Sequence, residues 1–308
     1  MSEANVKKRR YNKNDIIRYA VMAVCALIFI VCIVELLGIF AEYRESDKHY
    51  DDINQAFEYS PLNAANGFTI FPMVGNASAT PLASYQSQKN NPGAIHISNS
   101  GSYDVSTGNA EFQRDLAMLN SLYGQNSDTF GYIRIDDTKI NYPIMQGPDN
   151  DYYLQRGFNK KYLKVGSIFA DYRNSRSITE NKNIIIFGHN MLNGSMFHDL
   201  ARLDRDLHRD ADQYLSEHDE IRISSFDGIY IFKIFAFYHT TDEDPYLVTN
   251  FFSDAAFLSY CNTAIEKSMH DTGITVGADD IILTLSTCVN GKPTERYACH
   301  AKLVEIKK

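Results

Sequence analysis

From Tyr19 to Phe40 the chain runs through 22 residues with one ionisable group, Glu35. About 20 apolar residues in a helix cross the hydrocarbon core of a bilayer, so this stretch reads as a transmembrane span. Lys7, Lys8, Arg9, Arg10, Lys13 and Arg18 precede it. Basic residues stay on the cytoplasmic side, which predicts the N-terminus inside and the bulk of the chain on the extracellular side of the cell membrane. A cleavable signal peptide is the competing reading. It fits less well, because the apolar stretch exceeds a usual h-region of roughly 7–15 residues and no small-x-small site closes it. Glu35 lies near the outer end, where a carboxylate can snorkel to the interface.

The predicted organisation follows: a cytoplasmic basic tail over 1–18, an anchor over 19–40, a stalk over 41–109 and a globular domain over 110–308. Glu42 to Tyr59 is charged and polar with Ile53 and Phe57 four apart, and is read as an outward continuation of the anchor helix. Residues 60–109 hold Pro61, Pro72, Pro81 and Pro92 among many Asn, Ser, Gly and Ala, a linker composition.

The globular part is rich in short β patterns. Phe130–Ile135 alternates, Lys139–Met145 returns as a strand bent at Pro143, and Gly166–Ala170 and Asn183–Phe187 are apolar runs. Glu220–Ser224 and Ile229–Tyr238 flank Ser225-Phe226-Asp227-Gly228, a hairpin signal. Helical spacing appears at Phe112, Leu116, Leu119 and Leu122, and again from Ser253 to Ser268 with Phe257, Tyr260, Cys261 and Ile265 on the apolar side. Ser195 is placed to cap a helix through Met196, Leu200 and Leu203. Many short strands and few helices predict a mainly β fold, a barrel or a sandwich.

A net charge of −8 argues against nucleic acid as a partner. The five cysteines show neither C-x-x-C pairing nor a disulfide framework, which leaves catalytic or buried thiols. Cys288 ends the run Ile281–Thr287, and Arg296 opens the next β-prone run after Asn290-Gly291-Lys292-Pro293. His189 follows the strand Asn183–Phe187. A thiol needs a neighbouring base or cation to act as a thiolate. A histidine carries protons near neutral pH, and a guanidinium donates hydrogen bonds to an oxyanion. Together the three describe acyl transfer through a thioester, although spacing alone leaves a buried, structural Cys288 open. His198, His208 and His218 sit in charged, exposed-looking stretches. Cys299 and His300 are adjacent on a strand and so face opposite ways, which reads as structural. Asp242-Glu243-Asp244 reads as a solvated loop and no metal ligand set is apparent.

Thr284-Leu285-Ser286-Thr287-Cys288 with Arg296 eight residues on resembles the TLxTC…R signature of sortases. Asn183–Leu200 resembles the segment that carries the family's histidine, especially in class B. Gly131–Ile135, Tyr142-Pro143, Gln146–Asn150, Tyr153-Leu154 and Gly166–Arg173 also resemble class B. The resemblance covers roughly 110–308 and implies a closed eight-stranded β-barrel with peripheral helices, Ser253–Ser268 being one of them. It implies His189, Cys288 and Arg296 as catalytic residues, and Asn150, Leu154, Tyr246, Leu247, Ser286 and Thr287 as groove residues. For Leu154, Tyr246 and Leu247, plain core packing competes. The implied activity is transpeptidation without a cofactor. A sorting motif of a secreted protein is cut after Thr and passed to a peptidoglycan precursor or cross-bridge amine. A pilin polymerase using a subunit Lys, a peptidase releasing product to water, and a membrane-tethered binding module with an inert Cys288 are the alternatives.

Overall fold

The computed structural model describes residues 12–58, 104–106 and 110–308. The basic cluster Lys7–Arg10 and nearly all of 60–109 lie outside the described residues. Helix α1 runs Lys13–Glu58 and contains one span long and apolar enough to cross a membrane. Its continuation beyond Phe40 is therefore helical, as the charged pattern suggests. The chain divides into two compact units, 1–48 and 49–308.

In the second unit the end of α1 is a structural piece of the barrel. Tyr50 is buried, donates its hydroxyl to the Gly166 carbonyl at 2.9 Å, and meets the Tyr142 ring edge-on at 5.2 Å. Asn54 accepts from the Tyr132 hydroxyl at 2.6 Å. Within the stretch read as linker, β1 (Asp104–Ser106) pairs in parallel with Glu305–Lys307.

The remaining strands are β2 (Thr129–Arg134), β3 (Asn141–Met145), β4 (Ile168–Ala170), β5 (Asn183–Phe187), β6 (Glu220–Ser225), β7 (Gly228–Thr241), β8 (Ile282–Val289) and β9 (Lys292–Lys307). They hydrogen-bond in the order β9-β7-β6-β2-β3-β4-β5-β8, and β8 pairs back onto β9. That closes the expected eight-stranded barrel, with β1 an appended ninth strand. Closure satisfies every inner strand edge and leaves one packed interior. Helix α2 (Ala110–Gln125) buries Phe112, Leu119 and Leu122. Its Glu111 and Asp115, four residues apart on one face, both grip Arg222 of β6, Asp115 at 2.6 Å. The short α3 covers Ala211–Glu217.

Helix α4 (Asp254–Lys267) is capped by Ser253, whose hydroxyl accepts from the Ala256 amide at 3.2 Å. Its buried face is Phe257, Cys261 and Ala264, while Ile265 is 36% exposed. The step from 257 to 264 closes two turns more nearly than the step to 265, so the apolar stripe is one residue out from the sequence spacing. No α-helix starts at Ser195. Met196 adopts φ +59°, which breaks helical continuation, and a 3-10 turn (His198–Leu203) begins after Phe197. His198, His208 and His218 are half-buried, not exposed. His218, for one, lies against the Tyr214 ring at 4.3 Å.

Candidate active site

Two adjacent strands and the loop that follows a third carry the three candidate residues. Cys288 on β8 is the direct cross-strand partner of Arg296 on β9. Directly opposed residues of an antiparallel pair project from the same face. On the other side β5 pairs in parallel with β8, from Asn183↔Ile282 to Phe187↔Ser286. His189 follows two residues past that last pair, level with Cys288. The three positions therefore fall level with one another, His189 just past the end of β5, Cys288 on β8 and Arg296 on β9. The hairpin turns at Asn290-Gly291, where Gly291 takes φ +78°. The register slips immediately after Cys288, so the thiol stands at the last regular position of β8.

Backbone and side-chain partners hold the outer two groups. His189 Nε2 lies 2.8 Å from the Leu154 carbonyl. A carbonyl only accepts, so Nε2 carries the proton and Nδ1 is the free acceptor of the neutral ring. Arg296 donates Nη1 to the Glu295 carbonyl at 3.0 Å and reaches Asp242 with Nη2 at 3.4 Å. In sequence Asp242 reads as part of a solvated run. The Thr241↔Glu295 register brings it beside Arg296, a non-local consequence of β7 pairing with β9.

The floor of the site is polar and hydrogen-bonded. Tyr246 is buried, and its hydroxyl lies 2.8 Å from Ser286 Oγ. Burial raises the phenol's pKa, Ser286 and Arg296 oppose the rise, and Cys288 and Asp242 add to it. The phenol thus sits within electrostatic reach of both Cys288 and Arg296. Deeper in the barrel, Thr284 Oγ1 donates to Asn183 Oδ1 at 2.8 Å and lies 2.9 Å from His300 Nδ1. The Tyr238 hydroxyl lies 3.0 Å from His300 Nε2. The imidazole thus donates at Nδ1 and accepts at Nε2. Burial pushes the His300 pKa down to about 3 and the Cys299 thiol up to about 12. Both are inert structural groups, as the strand alternation implies.

The candidate groove residues fare differently. Leu154 is 40% exposed beside His189, which its carbonyl holds. Asn150 spends both ends of its amide internally: Nδ2 donates to Asp171 Oδ2 at 3.0 Å and Oδ1 accepts from the Tyr172 amide at 3.1 Å. Leu247 packs on the Tyr246–Phe257 cluster, and its carbonyl accepts from Arg173 at 3.2 Å. Ser286 shares the Cys288 face but is buried against Tyr246. Thr287 is buried on the opposite face of β8, away from the thiol. Its Oγ1 has no partner among the described residues.

Sequence reasoning missed Asp171 and Arg173. Asp171 is fully buried and takes a bidentate pair from Arg173 at 2.6 and 2.8 Å. Burial alone would raise the Asp171 carboxyl pKa; the guanidinium, aided by the Arg173 amide and Asn150, holds it below the usual range. Arg173 thereby joins the loop after β4 to the Leu247 segment and, through Asp171, to Asn150. The signal was present as an acid–base i, i+2 pair after an apolar strand, but such pairs are common on surfaces. Among the described residues no group of His, Cys, Asp and Glu has the arrangement of a metal site.

The sortase domain profile matches residues 133–304. Sortase B of Listeria monocytogenes is 39% identical over 199 residues, 64% of this chain and 76% of that protein. The structure of a Staphylococcus aureus sortase B–substrate complex superposes with a TM-score of 0.56 at 31% identity, over 61% of this chain and 85% of that one. A sortase B complexed with triglycine gives a TM-score of 0.55 at 31% identity, over 61% of this chain and 86% of that one. With a matching domain profile, a related sortase B sequence and the same closed barrel, the chain belongs to the sortase family, in its class B, and is a cysteine transpeptidase.

Proposed function

We propose that the protein anchors secreted proteins to the cell wall from the outer face of the membrane, with α1 as its single-pass tether. The basic cluster before α1 supports an inside N-terminus. The carrying observation is the level placement of His189 just past β5, Cys288 on β8 and Arg296 on β9. The Cys288 thiolate attacks the carbonyl of a Thr in a sorting motif, and a C–S bond forms. Arg296 donates to the oxyanion. The C–N bond breaks, and His189 gives its proton to the leaving amine. A cell-wall amine then attacks the thioester, neutral His189 accepts the amine's proton, and the thiolate returns. Tyr246, Leu154 and Leu247 form the walls around the acyl group.

The test incubates full-length enzyme in detergent with candidate sorting-motif peptides and an oligoglycine amine, with mass spectrometry of the acyl-enzyme. Cys288→Ala and His189→Ala abolish the adduct and product. Arg296→Lys loses most turnover, because a point charge cannot reproduce the planar fork. Undiminished cleavage by Cys288→Ala refutes the assignment.

A further inference from the structure

We propose that Asn190 is a positioning residue that fixes His189 against Cys288. This rests on the catalytic roles given above. The Gly188 amide donates to the Ser286 carbonyl at 3.2 Å, the last backbone rung from β5 to β8. In a parallel ladder alternate residues donate, so the next rung would run from the Asn190 amide to the Cys288 carbonyl. It does not form. Asn190 is paired instead with Met196 in an isolated antiparallel bridge, outside β5. The missing rung is made by the side chain: Asn190 Nδ2 donates to the Cys288 carbonyl at 3.1 Å.

The other end of the same amide is fully used. Asn190 Oδ1 accepts from His198 Nδ1 at 2.9 Å and from Asn290 Nδ2 at 3.1 Å. Asn190 is 8% exposed, so these bonds are shielded from competing water. One side chain thereby ties the His189 loop to the nucleophile's own peptide and to the turn between Cys288 and Arg296. The loop is closed behind it by the Phe197 amide, which donates to the His189 carbonyl at 2.9 Å. The Met196 amide donates to the Tyr142 hydroxyl at 3.0 Å.

The test needs no sorting peptide. In full-length protein with Cys25 and Cys32 changed to Ser, Cys288 is alkylated with iodoacetamide across pH, and acylated with p-nitrophenyl acetate. Rates are expressed per titrated thiol. Asn190→Ala removes all three bonds. Asn190→Asp keeps acceptors for His198 and Asn290 but cannot donate to Cys288, so it isolates the missing rung and decides the matter if the Ala variant does not fold. Expected for both is a fall of roughly tenfold or more in acylation, since an error near 1 Å can cost about a hundredfold. The alkylation pH profile moves toward that of His189→Ala. Folded variants with wild-type pH profiles and rates within about twofold of wild type overturn the proposal. A wild-type enzyme that alkylates normally but acylates no sorting peptide would instead refute the anchoring function, leaving the profiles to judge Asn190.

Discussion

Gly166→Ala places a methyl group where the structure has no room for one, and the damage is expected to reach His189. Gly166 adopts φ +59°, a conformation that costs a non-glycine residue about 1–2 kcal/mol. A Cβ there would sit 2.7 Å from the Tyr153 carbonyl oxygen and closer still to that of Leu154. Ordinary C···O contacts begin near about 3.3 Å, so both carbonyls must retreat by roughly half an ångström or more. The Leu154 carbonyl is the one that accepts from His189 Nε2 at 2.8 Å. A retreat of that size takes the contact to the limit of hydrogen bonding, a loss of about 1 kcal/mol. Strain and lost bond together predict destabilisation of about 2–3 kcal/mol, read by denaturant unfolding. Acylation should fall by roughly ten- to a hundredfold with KM little changed, because the ring loses its orientation while the groove remains. Gly166→Asn separates the two causes. Asn tolerates positive φ better, so it recovers stability, but its Cβ displaces Leu154 just as Ala does. A Gly166→Ala enzyme with kcat within about twofold of wild type would refute the link from Gly166 through Leu154 to His189.

Two further outcomes are expected. Arg173→Ala strips the buried Asp171 carboxylate of its bidentate partner and frees the Leu247 carbonyl. Because the guanidinium is 40% exposed, the loss should sit at the low end for a broken buried pair, about 3 kcal/mol, with a raised KM measured alongside the unfolding midpoint. The second outcome concerns pH: His300 has its pKa pushed down to about 3 by burial, against about 6.5 in the unfolded chain. Between those values the unfolded state binds more protons, so stability is full above about pH 6.5 and falls as pH drops toward 3. His300→Gln should flatten that slope in a pH series of melting temperatures; parallel slopes would refute the assignment.

Much of the machinery was readable along the chain. Cys288, Arg296 and the strands that carry them lie within one hairpin, where alternation and a short turn set the pairing. Asn183–Phe187 and the capped helix α4 announce themselves by local pattern and by Ser253 at the cap. The apolar span of α1 is a matter of length and composition. Other features depended on partners distant in sequence. That β5 lies beside β8, bringing His189 level with Cys288, is a pairing across almost a hundred residues. The Leu154 carbonyl on His189, Asp242 on Arg296, and Asn190 in the missing rung all follow from such pairings. Tyr50 illustrates the same limit: its segment is polar and reads as a stalk, yet it buries one ring because a barrel surface is there to receive it. Local propensity records what a residue does with its near neighbours. Which backbone groups remain unpaired after the barrel closes, and so which side chains must complete them, is decided only by the closed sheet.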